Sequence, residues 1–258
     1  MLRLLDARSR SSVEIQPARA GLLRVCAHAP ETSQAADLTG LRVLLVADLL
    51  ARAAELRNLQ VLTVLAFAGQ PPGQLTDFEQ AAGALGMHSP QARVSHDNAQ
   101  AALGGPIDVH LVSENGAADG ALEGLAVPVG VARVEPPGHD SLRSDPLAGR
   151  LALLSVPYYQ PADLADGQLT EAADTVRRWR RQVAEWAELP SRPMAADTAA
   201  AVRSAFDDLD TVHALALLRD LSLDANTPAG AKFETFLYAD RVLGLGLPSE
   251  IGQPRELS

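Results

Sequence analysis

Three apolar stretches in succession decide the fold class: LLRVCA at Leu22–Ala27, LRVLLVADLLARAAEL at Leu41–Leu56 and VLTVLAF at Val61–Phe67. The first and the third are short and mostly apolar, which is typical of buried strands. In the second, apolar residues recur at spacings of three and four, which predicts an amphipathic helix. A strand, a helix and a strand in this order predict two parallel strands joined by a crossover helix.

The same alternation continues along the first half of the chain. Thr76–Leu85 has the pattern of a short amphipathic helix, and Ile107–Val112 and Val127–Val134 have the pattern of two further buried strands. We therefore predict an α/β, Rossmann-like domain with a parallel sheet over residues 1–144.

The second half of the chain lacks strand patterns and predicts a helical domain over residues 145–247. The longest helix carries Trp179 and Trp186 on one apolar face, and Asp210 is a capping residue type before another helix. The polar tail, residues 248–258, is expected to be frayed. The predicted helices are Leu147–Ser155, Thr170–Leu189, Ala195–Phe206, Thr211–Leu221 and Ala229–Leu243.

Composition excludes several classes of protein. The 258 residues are 47% hydrophobic and 21% charged, and 22 basic against 32 acidic residues give a net charge of −10. This charge repels phosphate backbones, so tRNA is not an expected partner. No apolar run approaches the roughly 18 residues of a membrane span, and the first residues lack the apolar stretch of a secretory signal. A lone cysteine, Cys26, excludes a disulfide framework. We expect a cytoplasmic protein that does not enter a membrane.

Five segments in collinear order give the chain a resemblance to the cysteinyl-tRNA synthetase family and its shorter relatives, the mycothiol cysteine ligases. The first 30 residues also resemble the opening of that family. The five segments are DLLAR at Asp48–Arg52, LGGPIDVH at Leu103–His110, Asp145–Leu169, Asp207–Leu221 and Pro228–Leu247.

The resemblance implies activation of an amino acid by ATP in a crevice of the parallel sheet, assisted by a His-x-Gly-His motif. That motif falls on residues 37–42, where neither histidine is present and Asp37 replaces the first. We take Thr39, Gly40, Arg42 and Asp108 as the candidates for binding ATP or a related adenosine ligand. The alternative interpretation is that Asp37 or Thr39 simply caps the following helix.

The resemblance also implies a mobile loop with two lysines that stabilise the phosphates. The only lysine of the chain is Lys232, in the predicted helical half. The corresponding stretch is Gly138–Ser144, where Arg143 is the remaining cation but lacks the motif's spacing and partner residues. The sequence thus predicts that this part of the activation machinery is missing.

Zinc is the third element that the resemblance implies, held in the family by two cysteines, a histidine and a glutamate. Cys26 matches the first ligand, but the second cysteine falls on Ser95 and the glutamate on Gly116. His96 lies beside Ser95 and is the nearest replacement.

A set of Cys26, His96, His110 and Glu114 could in principle bind metal. The simpler interpretation makes Cys26 a small buried residue at a strand end, so we expect no zinc. His28 is expected in a loop, without a role.

The leading hypothesis is a degenerate relative of the cysteine ligases, a pseudoenzyme that binds an adenylate-type small molecule or regulates a partner protein. The first alternative is an active ATP-dependent ligase that uses Arg42, Arg143 and helix dipoles in place of the lost groups. The second alternative is a purely structural partner subunit.

Overall fold

The structure is a computed structural model that describes residues 1–29, 38–67, 76–113, 122–135, 142 and 144–253. Asp37, Glu114, Gly116, Arg143 and most of the stretch Gly138–Ser144 lie outside these ranges. Their predicted roles stay predictions.

A five-stranded parallel sheet forms the centre of the first half, with the strand order β5-β4-β3-β6-β7. All five strands run in the same direction, which confirms the predicted α/β, Rossmann-like fold. The strands are β3 (Leu22–His28), β4 (Gln60–Phe67), β5 (Ala92–Ser95), β6 (Val109–Ser113) and β7 (Leu125–Val129).

Helices cover both faces of this sheet. The helix α1 (Thr39–Glu55) joins β3 to β4, and α2 (Thr76–Ala84) packs beside it. Alternate residues of β3, such as Val25, belong to the core on the side of α1. Cys26 faces the other way and packs with the short helix α3 (Ala99–Ala102), which follows a 3₁₀ turn at residues 96–98.

The predicted strand Val127–Val134 is wrong as a single element, because it divides at Gly130. The strand β7 ends at Val129, and β8 (Ala132–Val134) pairs in parallel with β9 (Ala162–Leu164) in a separate two-stranded sheet. A Cβ atom at Gly130 would lie only 2.1 Å from the carbonyl oxygen of Gln160. This close approach of two backbone segments forces the chain out of the main sheet.

The sequence pattern does not predict the shortest strands of the structure. The hairpin of β1 (Arg3–Leu5) and β2 (Ser12–Glu14) has three residues a strand, and β5 has four. Segments of this length contain too few residues to display a periodicity of two.

The second half is helical, as predicted, apart from the short strand β9, which the sequence does not predict. The helices are α4 (Pro146–Leu154), α5 (Asp166–Ala187), α6 (Ala196–Asp207), α7 (Thr211–Leu223) and α8 (Ala229–Leu243). The carboxylate of Asp210 accepts a hydrogen bond of 2.9 Å from the backbone N–H of His213, which confirms the predicted cap of α7. The beginning of α5 lies four residues before the predicted Thr170.

The apolar face of α5 is buried against the rest of the molecule. Trp179 is 1% exposed and meets the ring of Phe236 on α8 edge to face, with ring centroids 5.5 Å apart. Trp186 is half-buried and contacts the same ring. One hydrophobic cluster contains residues from both halves of the chain, including Val25 and Trp179.

Part of the tail that was expected to be frayed is ordered in the structure. A 3₁₀ turn at Leu247–Glu250 buries Leu247, and residues 254–258 lie outside the described ranges. Among the helices that the structure describes, none is long and apolar enough to cross a membrane.

Candidate functional site

The strand order places a topological switch point between β3 and β6. From β3 the chain builds β4 and β5 on one side, and then returns to place β6 and β7 on the other. In open parallel sheets, ligands bind in the crevice outside the carboxyl ends of the two strands at such a point. The side chains at the carboxyl end of β3, with those paired to them on β6, therefore define the candidate site.

Four residues, which we call the His–Cys cluster, meet at this switch point: Cys26, His28, His96 and His110. Cys26 and His28 are two residues apart on β3 and so point to the same face of the sheet. His110 on β6 is the direct register partner of Cys26. His96 follows the last residue of β5, and its ring lies edge-on to the ring of His28 with centroids 4.8 Å apart.

Three of these side chains present potential ligand atoms to a common point. The ligand atoms of Cys26, His28 and His110 all lie within 4.8 Å of one another, and the three residues are buried. The Nε2 of His28 lies 3.0 Å from the Nδ1 of His110. Among the residues that the structure describes, no other group of three His, Cys, Asp or Glu side chains is arranged in this way.

The hydrogen bonds of the cluster fix which ring nitrogens carry protons. The carbonyl oxygen of Glu123 can only accept, so the Nε2–H of His110 donates to it over 2.9 Å. In a neutral ring the Nδ1 of His110 is then an acceptor, and the Nε2–H of His28 donates to it. This leaves the Nδ1 of His28 without a partner, and the Nε2 of His96 is also buried without one.

Burial disfavours the charged forms of Cys26, His28 and His110. Desolvation, together with the nearby His110 and His96, lowers the pKa of His28 to about 3. Burial also lowers the pKa of His110 and raises the pKa of the Cys26 thiol to about 12. The site thus offers neutral imidazoles and a protonated thiol, a donor set suited to a soft or borderline metal ion rather than to an anion.

The expectation that His28 lies in a loop is wrong. His28 is the last residue of β3 and is 3% exposed. The available signal was its spacing from Cys26, because residues two apart on a strand share a face. Two of the candidates named from the sequence, His96 and His110, do lie beside Cys26 in the structure.

Arg42 has a different environment from that of a phosphate-binding residue. It is 1% exposed, and its guanidinium donates to five backbone carbonyls of the chain. The shortest of these bonds are 2.5 Å to Gln160 and 2.9 Å to Pro157. The others reach Gly130, Val131 and Val156 at 3.3, 3.1 and 3.4 Å. The predicted role in binding nucleotide stays a prediction, and these contacts speak against it.

Thr39 and Gly40 lie in the first turn of α1, at the end of the helix that faces the switch point. The hydroxyl of Thr39 accepts a hydrogen bond of 3.1 Å from the backbone N–H of Ala132. The N-cap of α1 is Leu38, so Thr39 lies inside the helix and the interpretation that it is the capping residue is wrong. Asp37, the other capping candidate, lies outside the described residues.

Asp108 accepts hydrogen bonds from the backbone, and its predicted role in nucleotide binding stays a prediction. Its carboxylate accepts hydrogen bonds of 2.7 Å from the N–H of Ala18 and 2.8 Å from the N–H of Arg24. These bonds tie the segment before β6 to the start of β3.

Lys232, the only lysine of the chain, lies on α8, the last α-helix that the structure describes. Its Nζ donates to the carbonyl of Ser222 over 3.3 Å and lies 5.6 Å from the ring centroid of Trp186. The side chain is buried among the helices of the second half.

The chain is similar in sequence to several curated proteins. It is 37% identical over 111 residues to the L-cysteine:1D-myo-inositol 2-amino-2-deoxy-alpha-D-glucopyranoside ligases of Mycobacterium sp. strains KMS and JLS. The ligase of Segniliparus rotundus is 38% identical over 108 residues. These matches cover 41% and 40% of this chain, but only 26% and 25% of the ligases. The matched part therefore spans about a quarter of the length of these relatives. No family model matches the chain.

A solved structure extends the likeness of the fold over most of the chain. A Campylobacter jejuni protein assigned as an arginyl-tRNA synthetase superposes with a TM-score of 0.50, over 90% of each chain and at 10% sequence identity. At this identity the match concerns the fold alone. The sequence matches thus support a relationship to the cysteine ligases over about two fifths of the chain, and the structural match shows a fold shared with an aminoacyl-tRNA synthetase-like protein.

Proposed function

We propose that this protein keeps the fold of the cysteine ligases but does not activate an amino acid, and that it acts by binding a small adenosine-type ligand at the switch point. The environment of Arg42 carries this proposal. Arg42 is the positively charged residue at the start of α1. Its guanidinium already donates hydrogen bonds to five backbone carbonyl oxygens.

Activation needs positive or donor groups that are preorganised around the phosphates. Losing one such group typically costs about 100- to 1,000-fold in rate. Redirecting Arg42 to the phosphates would leave its five carbonyls without this donor inside the protein, and an unpaired buried carbonyl is costly. The residue is thus a poor substitute for the histidines that the family motif would supply.

The environment of Lys232 supports the same proposal. The family resemblance implies two lysines on a loop near the phosphates, whereas the only lysine here packs between α7 and α8. The neutral imidazoles of His28 and His110 do not replace these charges, because burial lowers the pKa of both rings.

Binding without activation remains compatible with the fold. Parallel sheets of this type bind nucleotides at the switch point through backbone groups and a helix N-terminus. The start of α1 lies beside this point, as it does in the family fold that the resemblance implies.

Pyrophosphate exchange tests the loss of activation. Purified protein is incubated with ATP, labelled pyrophosphate and each amino acid in turn, cysteine first. We expect no exchange above that of a boiled sample. An exchange rate on the order of 1 s⁻¹, within the usual range of enzymes, contradicts the proposal and favours an active ligase.

Calorimetry separates a binding protein from a structural subunit. The protein is titrated with ATP, AMP and a non-hydrolysable cysteinyl-sulfamoyl adenosine. We expect saturable binding of at least one of these adenosine compounds. The matched variant is Thr39→Val, which keeps the shape of the first residue of α1 but loses its hydroxyl. The control is His213→Ala, which changes an exposed residue on α7. Absence of binding by wild-type protein favours the structural subunit.

A further inference from the structure

The two unpartnered nitrogens of the His–Cys cluster need an explanation that the adenosine site does not supply. The Nδ1 of His28 and the Nε2 of His96 are buried without a hydrogen-bond partner. Leaving a buried polar atom unpaired costs free energy, so proteins usually pair such atoms with a protein group, a water molecule or an ion. Both nitrogens belong to side chains of one cluster.

The donors of the cluster are those that zinc prefers. A cysteine sulfur and imidazole nitrogens are the common protein ligands of this ion, and carboxylates are not needed. Around zinc, Zn–N distances of about 2.0–2.1 Å and Zn–S distances of about 2.3 Å place neighbouring ligand atoms about 3.3–3.6 Å apart. The ligand atoms of Cys26, His28 and His110 already lie within 4.8 Å of one another. Side-chain shifts of about an ångström thus suffice, and the strands need not move.

The partner of His110 is also the kind that supports a ligand. Histidines that bind a metal through one nitrogen usually donate the other N–H to a carbonyl or carboxylate, which fixes the ring. Here the Nε2–H of His110 donates to the carbonyl of Glu123. Its Nδ1 accepts from the Nε2–H of His28 in this structure, so a bound ion would take the place of that hydrogen bond.

The cluster differs from the zinc site that the family resemblance implies. That site needs a second cysteine and a glutamate, which fall on Ser95 and Gly116 in this chain, so the family's ligand set cannot form. Only Cys26 is shared. The other three ligands, His28, His96 and His110, are histidines that this chain brings together from β3, the turn after β5, and β6.

We propose that the His–Cys cluster is a zinc site with four protein ligands, Cys26, His28, His96 and His110. When all four positions of a tetrahedral ion are filled by protein, the ion is structural rather than catalytic. The zinc therefore joins β3, β6 and the turn after β5 across the switch point, and does not hold a substrate thiol. Cysteine binds zinc as the thiolate, so binding releases the proton of the Cys26 thiol.

Cobalt substitution gives a direct test, because Cys26 is the only cysteine of the chain. Untagged, metal-free protein is titrated with Co²⁺ and its absorption spectrum is recorded. We expect one equivalent to produce both the thiolate-to-cobalt charge-transfer band and the intense d–d bands of tetrahedral cobalt. Any charge-transfer band must come from Cys26. Its absence in folded wild-type protein overturns the proposal.

Variants then assign the ligands. In competition with a chromophoric chelator, His28→Ala and His110→Ala should each weaken zinc binding by more than the roughly 10- to 100-fold that loss of an outer-shell partner costs. Cys26→Ser should abolish the charge-transfer band. The exposed His213→Ala is the matched control and should bind zinc like wild type. Equal losses in His28→Ala and His213→Ala contradict the assignment.

His96 distinguishes the closed site from a site with three ligands. His96→Ala should leave the thiolate band but weaken the d–d bands, because a water molecule then enters and the geometry relaxes. An unchanged spectrum contradicts the four-ligand assignment. The test does not depend on adenosine binding or on ligase activity. It therefore stands or fails separately from the proposed function.

Discussion

The Oδ2 atom of Asp48 on α1 accepts a hydrogen bond of 2.7 Å from Nη2 of Arg150 on α4, and both side chains are fully buried. Arg150 also donates to the carbonyl of Leu243 at the end of α8, over 2.6 Å. Asp48 accepts further bonds from Arg52 and from the backbone N–H of His88. This network connects the helix of the parallel sheet to the helical half of the chain.

Three of the segments that carry the family resemblance meet in this network. Asp48 and Arg52 belong to the DLLAR segment, Arg150 to the segment at Asp145–Leu169, and Leu243 to the segment at Pro228–Leu247. Three segments of the resemblance thus contribute residues that hold the fold together. This explains how the chain can resemble a ligase family while it lacks the residues of the activation motifs.

Breaking this buried pair should strongly destabilise the protein. Asp48→Ala leaves the guanidinium of Arg150 buried without its carboxylate, and removal of one partner of a buried pair costs about 3–5 kcal/mol. The control is Asp174→Ala, because Asp174 pairs with Arg177 on the surface of α5, where such a pair contributes about 0–1 kcal/mol. Urea unfolding of both variants measures the difference. Similar losses in the two variants would contradict the structural role of Asp48.

The carboxylate of Asp48 also makes the free energy of unfolding depend on pH. Burial raises the pKa of Asp48, but the charges of Arg150 and Arg52 and the hydrogen bonds outweigh burial, so the net shift is downward. A pKa that is lower in the folded than in the unfolded protein contributes stability above the unfolded value of about 3.9. This contribution is lost as the pH falls through the folded pKa.

Measurement of the free energy of unfolding between pH 7 and pH 3 tests whether the pKa of Asp48 is lowered by folding. Wild type should lose stability below about pH 4, in the range where an unfolded aspartate takes up its proton. Asp48→Asn should be less stable than wild type at pH 7, and the difference should shrink at the acid end. A difference that grows as the pH falls would show that the shift has the opposite sign.

Trp179 should be the more important of the two tryptophans on α5. Trp179 is 1% exposed and Trp186 only half-buried, although both contact the ring of Phe236. Trp179→Ala should cost about 3–5 kcal/mol, as expected for a large buried side chain. Trp186→Ala is the matched variant and should cost less. A loss below about 1 kcal/mol for Trp179→Ala would mean that this face of α5 is not part of the core.

Much of the fold follows from local sequence patterns, because long buried strands and amphipathic helices repeat their apolar residues at a fixed spacing. The helix α8 has the predicted bounds of Ala229 and Leu243. Strands of three or four residues, such as β5, do not carry such a signal. The break at Gly130 depends on the approach of Gln160, which is thirty residues further along the chain.

The candidate site was less predictable than the fold, because contacts between distant parts of the chain bring its residues together. The family resemblance makes Cys26 and His96 ligand candidates, because Cys26 matches the first ligand and His96 lies beside Ser95, and it makes His110 a further candidate. His28 was overlooked, since its burial depends on β3 extending one residue beyond the predicted Ala27. The contacts of Arg42 depend on five carbonyls that a single sequence does not place near α1.

Arg42 should matter more for folding than for nucleotide binding. Arg42→Leu leaves its carbonyl partners without this donor, and an unsatisfied buried group costs about 1–3 kcal/mol. The control is Arg181→Leu, an exposed position on α5. Urea unfolding should show a loss of at least about 2 kcal/mol for Arg42→Leu and little change for Arg181→Leu. A variant of normal stability that fails to bind the adenosine compounds would instead place Arg42 in the ligand site.

Restoring a single histidine should not restore activation. Asp37 occupies the position of the first histidine of the family motif, so Asp37→His removes a negative charge and returns one donor. The second histidine and both lysines are still missing, and Arg42 remains engaged by its carbonyls. If two of the missing donors acted independently, about 10⁴–10⁶ in rate would remain lost, although groups that act as a unit do not add in this way. Pyrophosphate exchange with cysteine should therefore stay at background in Asp37→His, with circular dichroism confirming that the variant is folded. Exchange that rises well above the wild-type level would show that one charge, and not the whole set of donors, separates this chain from an active ligase.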